Sequence, residues 1–318
     1  MKPSIKVIGV GGSGSNTVSR MAKFDIQGVE LIAVNTDAQA LRSCKANLKI
    51  LIGKEITKGL GTGMDVALGK MAAEESKEEL SKILKGADMV FITCGLGGGS
   101  GSGGAPVIAE IAKNLGILTV AVVTTPFSFE GAQRKKIADE ALENFKGKID
   151  SLLTISNDKL LKIIDEKTTV SSAFYICDEV LKEAVQGITD LILAPGIINI
   201  DFASVLSIMK NSGNALFGVG KGLGENRAIQ AAEKAISSPL LDFSIKGSKG
   251  VLFNASGQDI TLNEIQEAAK VITKNVDPKA QIIFGAANPV RKGLSNGVKD
   301  SNLKKGEIKI TVIATKFL

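Results

Sequence analysis

An α/β domain built on a parallel sheet, followed by a smaller α+β domain, is the fold class this sequence predicts. Three observations carry that reading. Short runs that are apolar throughout alternate with helical periodicity over the first half of the chain. Such runs are what strands buried on both faces of a parallel sheet look like. Glycine-rich segments fall at the carboxyl ends of two of them, where ligands bind in open α/β sheets. A single long helical repeat from Val170 to Leu193 then separates the two halves.

Taken in order, Ile5–Val10 is a first strand that stops at Gly11-Gly12, and helical spacing follows over 16–24. Residues 31–34 and 48–52 read as second and third strands. A helical stretch carries Ala72, Leu80 and Leu84, and 88–93 is a buried strand running into a long glycine segment. An Ala- and Ile-rich helix over 106–114 and strands over 117–123 and 151–155 complete the series. From Val170 to Leu193, apolar residues including Ala173, Cys177, Leu181, Ala184 and Ile188 recur at helical spacing. Pro195-Gly196 should stop that helix. Beyond it, 199–210 and 226–237 read as helices, 250–254, 281–285 and 308–314 as strands, and Leu262–Thr273 as a further helix. Residues 289–306 form a basic segment rich in Gly, Asn and Ser, expected to be a solvated surface insertion. The expected division is 1–169 for a ligand-binding domain, 170–196 for a connecting helix and 197–318 for the second domain.

Composition narrows the function. The 318 residues suit two packed domains rather than one small core. The absence of His removes His-based catalytic triads and His metal sites. A formal charge of +6, with Lys intermixed among Asp and Glu, makes no case for nucleic acid. Cys44, Cys94 and Cys177 are far apart and form no C-x-x-C pair. Neither a disulfide framework nor a zinc site is expected from them, and a reducing cytosol suits them. No signal-like segment precedes the first strand and no run of about 18 apolar residues occurs, so no membrane insertion is expected.

Two motifs carry chemistry. Gly9-Val10-Gly11-Gly12-Ser13-Gly14 matches G-x-G-x-x-G between a strand and a helix, a pattern that brings backbone close to phosphate. Asn35 and Asp37 end the second strand, where a ribose contact is expected. Alone, these features read as a dinucleotide-binding fold, and an NAD-dependent oxidoreductase is one reading they permit. The second motif runs Gly95-Leu96-Gly97-Gly98-Gly99-Ser100-Gly101-Ser102-Gly103-Gly104. So permissive a stretch is costly in chain entropy, and a phosphate held by successive N–H groups and the hydroxyls of Ser100 and Ser102 is the expected guest. No dehydrogenase needs this second loop, and no G-x-x-x-x-G-K-[ST] is present.

Gly97 to Gly103 resembles the tubulin/FtsZ signature G-G-G-T-G-T-G, with Ser at both Thr positions. The likeness extends along nearly the whole chain. It includes Val34-Asn35-Thr36-Asp37, Gly59-Leu60-Gly61-Thr62-Gly63, Pro126-Phe127-Ser128-Phe129-Glu130-Gly131, Asn157-Asp158-Lys159-Leu160, Ala184-Val185-Gln186-Gly187-Ile188 and Ala235-Ile236-Ser237-Ser238-Pro239-Leu240-Leu241. These stretches are similar to the FtsZ branch of that family. The resemblance implies a Rossmann-like GTPase domain, a long central helix, a smaller second domain, and a cytoplasmic cell-division filament in a prokaryote.

It also implies a GTP site, with GTP or GDP bound and Mg2+ held through the phosphates. Gly12, Ser13, Gly14, Ser15 and Asn16 would hold phosphates and approach the base. Gly98, Gly99, Ser100 and Gly101 would cradle the α- and β-phosphates, and Thr62 and Gly63 would face the γ-phosphate. Glu130 and Arg134 would flank the ribose, and Asn157 lies in the loop similar to the family's sixth. Phe174 would stack on guanine, and Asp178, four residues on, would accept from guanine N1 and N2, donors that adenine lacks. Hydrolysis would need Asn199-Ile200-Asp201-Phe202-Ala203-Ser204-Val205 from the next copy in a head-to-tail homopolymer. The family pattern there is N-x-D-F-A-D-V. Asn199 and Asp201 match, and Ser204 stands in place of the second acid, so slow hydrolysis is expected, or a structural filament with almost none. Nothing in these residues speaks to membrane-anchoring division partners.

Overall fold

The computed structural model describes residues 2–23, 28–161, 165, 167–193, 196–237, 244–287 and 303–317. The chain divides into two compact units, Met1–Gln186 and Gly187–Leu318.

In the first unit the strands are β1 (Ile5–Val10), β2 (Val29–Asn35), β3 (Leu48–Leu51), β4 (Met89–Gly95), β5 (Leu118–Thr125) and β6 (Ser151–Ser156). They pair in parallel in the order β3-β2-β1-β4-β5-β6. The helices are α1 (Gly11–Met21), α2 (Ala38–Ser43), α3 (Lys54–Thr57), α4 (Val66–Glu75), α5 (Lys77–Leu84), α6 (Gly99–Asn114), α7 (Ala132–Phe145) and α8 (Asn157–Leu160), with a 3-10 turn at Ser128–Glu130. Helix α9 (Val170–Leu193) contains the boundary between the units.

Alternation along the strands explains the layering. Ile8, Val10, Ile32, Val34, Val90 and Ile92 point to one face, into a core with Ala73, Leu80, Ala105, Ile108, Ala138 and Phe145. Gly9, on the opposite face, lies under Val18 of α1. The strand order reverses between β1 and β4, and both glycine segments leave the sheet at that switch point.

The apolar strands and α9 fall where the sequence places them. The glycine segments do not. Helix α1 starts at Gly11 rather than at residue 16, and α6 starts at Gly99 rather than at residue 106. The glycines from Gly99 to Gly104 are thus helical turns, not a loop. A Cβ on Gly99 would lie 2.5 Å from the Asp65 carbonyl oxygen, and one on Gly103 2.2 Å from that of Val66. A Cβ on Gly69 of α4 would lie 2.2 Å from the Gly99 oxygen. These glycines exist so that α4 and α6 can touch backbone to backbone. The expected helix around Ala72 to Leu84 is two, divided at Ser76, whose hydroxyl accepts from the Gly53 N–H at 3.2 Å. Helix α7 buries only Ala138, Ala141 and Phe145 of its length, too sparse a stripe to read from sequence.

The second unit holds α10 (Phe202–Met209), β7 (Gly213–Leu223), α11 (Arg227–Ile236), β8 (Gly250–Ser256), α12 (Leu262–Thr273), β9 (Gln281–Ala287) and β10 (Glu307–Thr315). Its strands run β7-β10-β8-β9, antiparallel except for the β8–β9 pair. Strand β7 is absent from the sequence reading because its glycines look like a loop. In the fold they alternate under α11: Cβ atoms on Gly218, Gly220 and Gly222 would lie 2.0, 2.0 and 1.9 Å from the carbonyl oxygens of Ala235, Ala231 and Arg227. Arg227 then forks onto Glu264 at 2.6 and 3.2 Å, tying α11 to α12. Phe24, Pro195, residues 238–241 and most of the basic segment 289–306 lie outside the described residues.

Gly220→Ala should therefore cost about 1–3 kcal/mol or more, because the added methyl meets a main-chain oxygen that α11 cannot withdraw. Urea denaturation of the full chain checks this. An unchanged midpoint would show that α11 does not rest on β7 through its glycines.

Candidate functional site

The switch point presents two helix N-termini side by side. Neither α1 nor α6 has a capping side chain, and neither carries an acid in its first turn. Helices α2 and α4, by contrast, are capped by Asp37 and Asp65. The first-turn N–H groups of α1 and α6 are thus unclaimed by side chains, and both dipoles favour an anion at the same place.

Glycine brings these termini together. A Cβ on Gly9 would stand 2.1 Å from the Gly14 oxygen, and one on Gly14 2.4 Å from the Thr93 oxygen, so α1 lies directly on the ends of β1 and β4. Gly11, at φ +71°, would meet the Gly101 N–H at 3.0 Å. Gly95 lies under the Ser13 side chain. Gly12, Gly98 and Gly63 face open space, and Gly12 and Asn16 are exposed. Ser13 and Ser15 do not occupy the left-handed region, so neither is strained by replacing a glycine. Ser15 is buried, and its hydroxyl has no hydrogen-bond partner.

Three hydroxyls meet beside these termini. Ser100 Oγ lies 2.6 Å from Thr36 Oγ1 and 3.1 Å from Thr62 Oγ1, linking the ends of β2 and α6 to the loop before α4. Ser102, expected beside Ser100 as a phosphate ligand, is instead fully buried. Its hydroxyl accepts from the Gly97 N–H at 3.0 Å, because the two residues of helix between it and Ser100, a rotation of about 200°, turn it toward the core. Asn35 is buried, with its carbonyl accepting from the Asp37 N–H at 3.2 Å and its Nδ2 unpartnered. Asp37 Oδ1 accepts from the Gln39 and Ala40 N–H groups at 2.8 and 3.0 Å.

An aromatic and acidic flank follows. Phe174, partly exposed on α9, meets Phe127 edge to face at 5.3 Å, and Phe127 stacks on Phe129 at 4.9 Å. Glu130 accepts from the Phe127 N–H at 2.9 Å and pairs with Arg134 at 2.8 Å. Asp158 accepts from the N–H and hydroxyl of Ser128 at 2.7 and 2.5 Å, tying the start of α8 to the 3-10 turn. Asn157 is buried with its Oδ1 unpartnered. Asp178 is buried on α9, one turn beyond Phe174. Thr17 donates to its Oδ1 at 3.2 Å, and Arg20 pairs with its Oδ2 at 3.0 Å. Burial pushes the Asp178 carboxyl up to about 6, against the pull of Arg20 and Thr17.

In the second unit, Asp201 caps α10, its Oδ1 accepting from the Ser204 N–H at 2.6 Å. Hydrogen bonds from the Ser204 side chain and backbone hold the exposed Asp201 carboxyl below its ordinary range. Asn199 accepts from the Gly196 N–H at 2.6 Å. Asn199, Asp201 and Ser204 belong to the second unit, while every other expected site residue belongs to the first. Sequence reasoning missed Thr17, Arg20, Thr36 and Ser128. Thr17 and Arg20 follow the first glycine motif on one face of α1, which is the only signal that could have found them.

The Tubulin/FtsZ family GTPase-domain model matches residues 4–165, and the FtsZ family C-terminal-domain model matches residues 213–318. Cell division protein FtsZ 1 of Pyrococcus abyssi is 52% identical over 285 residues, covering 90% of this chain and 76% of that protein. Its namesake in Pyrococcus furiosus matches at the same identity and coverage. Among solved structures, an empty FtsZ dimer of M. jannaschii superposes with a TM-score of 0.89 at 44% identity, covering 99% of this chain and 88% of that one. A GTPgS-bound protofilament of CetZ2 from Haloferax volcanii gives a TM-score of 0.82 at 23% identity, covering 99% and 92%, a likeness of fold alone. With both of its units matched, this chain belongs to the tubulin/FtsZ family, and within it to the FtsZ family.

Proposed function

We propose that the chain binds GTP where β1 and β4 end, assembles head to tail into filaments for cell division, and hydrolyses GTP slowly at the contact between copies. The pair of uncapped glycine N-termini on α1 and α6 is the observation that carries this reading. Family membership supports it, as does the dimer formed by the M. jannaschii FtsZ. The dinucleotide oxidoreductase reading has no support beyond the first glycine motif.

Roles follow from chemistry. Gly12, Ser13, Gly14, Ser15 and Asn16 with Gly98, Gly99, Ser100 and Gly101 offer N–H groups to phosphate oxygens. Thr62 and Gly63 face the γ-phosphate. Glu130 and Arg134 flank the ribose, whose end of the site includes Asn35 and Asp37. Asn157, Phe174 and Asp178 receive the base. No group of three or more Asp, Glu, Cys or His side chains able to hold a metal occurs among the described residues. A Mg2+ ion accompanying GTP would be held through the phosphates and would neutralise charge between them. Residues 1–169 would serve binding, 170–196 connection and 197–318 assembly. The protein would act in the cytoplasm at the division site. No helix of the described residues is long and apolar enough to cross a membrane.

The next copy supplies Asp201, kept ionised by its own Ser204, to orient and polarise the attacking water, with Asn199 alongside. Ser204 brings no second negative charge. A filament that binds GTP yet scarcely hydrolyses it is the second reading, and Ser204 favours it.

Two outcomes follow. Steady-state phosphate release at polymerising concentration should be slow, and Ser204→Asp should raise it by about tenfold or more, within the range that acid–base groups supply. Fast release by the native chain, unchanged in Ser204→Asp, would refute this role for Ser204. Affinity for GDP should be flat above neutrality and fall as pH drops through about 6, where the buried Asp178 gains a proton and stops accepting from guanine. Arg20 and Thr17 of α1 and Glu179 of α9 are the groups acting on that carboxyl. ADP binding, measured by the same titration calorimetry, should lack this step.

A further inference from the structure

The geometry points to Arg20 as a positioning residue for base selectivity: it holds Asp178 charged and aimed, so that the carboxylate's remaining lone pairs meet the two guanine donors. The inference rests on the guanine reading of Asp178 proposed above.

Arg20 and Thr17 are three residues apart on α1, so they share the face turned to α9. Each takes a different oxygen of Asp178: Thr17 Oγ1 donates to Oδ1 at 3.2 Å, and Arg20 Nη2 pairs with Oδ2 at 3.0 Å. An ionised carboxylate has about four acceptor sites, two on each oxygen. One site per oxygen is therefore filled from α1, and one per oxygen is left. Guanine presents two adjacent donors, N1–H and the 2-amino group, spaced for such a pair of acceptors.

Arg20 is itself held. Its guanidinium lies over the Tyr175 ring at 4.3 Å from the centroid, and Nη1 donates to the Tyr175 carbonyl at 3.4 Å. Tyr175 is one turn before Asp178 on α9, so the same helix that carries the acid also carries the surface on which the cation rests. A Lys would keep the charge but not this planar seat.

The charges around Asp178 make Arg20 necessary. Burial disfavours its ionised form, Glu179 on the same helix adds to that, and only Arg20 and Thr17 oppose it. The neighbouring Cys177 thiol is pushed up to about 12 by burial, with Asp178 and Glu130 adding to the effect, so it contributes no charge of its own. Remove Arg20 and the carboxyl would hold its proton at neutral pH. A neutral acid carries a hydroxyl where guanine needs an acceptor.

The test is the affinity of the full chain for GDP, IDP and ADP between pH 5.5 and 8.5, for native protein, Arg20→Met, Arg20→Gln and Arg20→Lys. IDP lacks the 2-amino group. In Arg20→Met and Arg20→Gln the pH midpoint for GDP should rise by about one unit, giving a loss of about twofold at pH 7 that deepens toward about tenfold at the acid end and vanishes at the alkaline end. GDP-over-IDP selectivity should disappear and return with the affinity. Arg20→Lys should keep the native midpoint and lose only part of the affinity. An unchanged midpoint in both Arg20→Met and Arg20→Gln, or a loss equal at every pH, overturns the role of Arg20. A native protein that fails to prefer GDP over ADP overturns the guanine reading instead.

Discussion

Everything at the ligand end of the first sheet depends on how closely three helices approach it and one another. Gly9 and Gly14 let α1 rest on the ends of β1 and β4, and Gly69, Gly99 and Gly103 let α4 and α6 touch. A single Cβ at any of these positions would meet a main-chain oxygen at 2.1 to 2.5 Å, which no rotamer change relieves. The result is a cluster of backbone donors that no side chain caps. The dipoles of α1 and α6 favour an anion at this place, and because they are fixed in direction they cost no reorganisation when one arrives.

The same constraint explains what the sequence disclosed and what it hid. Runs such as Ile5–Val10 were legible because a strand covered on both faces has no reason to alternate. Helix α9 was legible to the residue, since its apolar positions repeat over many turns. Glycine misled in both units. At Gly99 to Gly104 it signals close packing inside a helix, and at Gly218 to Gly222 it signals a strand beneath a helix, yet intrinsic propensity argues against both elements. Tertiary contact overrides propensity there, and only the partner element, α4 or α11, makes that visible. Ser102 went wrong for a related reason: a loop would leave its hydroxyl free to turn, whereas a helix directs it inward.

Two aspartates show how one residue type can be held in two opposite settings. Asp178 is buried, and its charge survives only through Arg20 and Thr17. Asp201 is exposed at a helix start, where Ser204 donors hold it ionised. In the proposed function the first arrangement would serve recognition, because a desolvated acceptor left unpaired would penalise the wrong base. The second suits water polarisation, because the charge is open to a partner. Neither difference can be read from the residues alone. Both arise from which helix end or helix face the chain places beside them.

Equilibrium binding of GTP and ATP to the purified chain, with the same samples sedimented after nucleotide addition, tests the central claim most directly. The account predicts saturable GTP binding at least ~100-fold tighter than ATP binding, since adenine lacks the donors that Asp178 accepts. It also predicts pelleting of the protein with GTP and not with ATP. Equal affinity for the two nucleotides, or no binding of GTP at millimolar concentration, would contradict it.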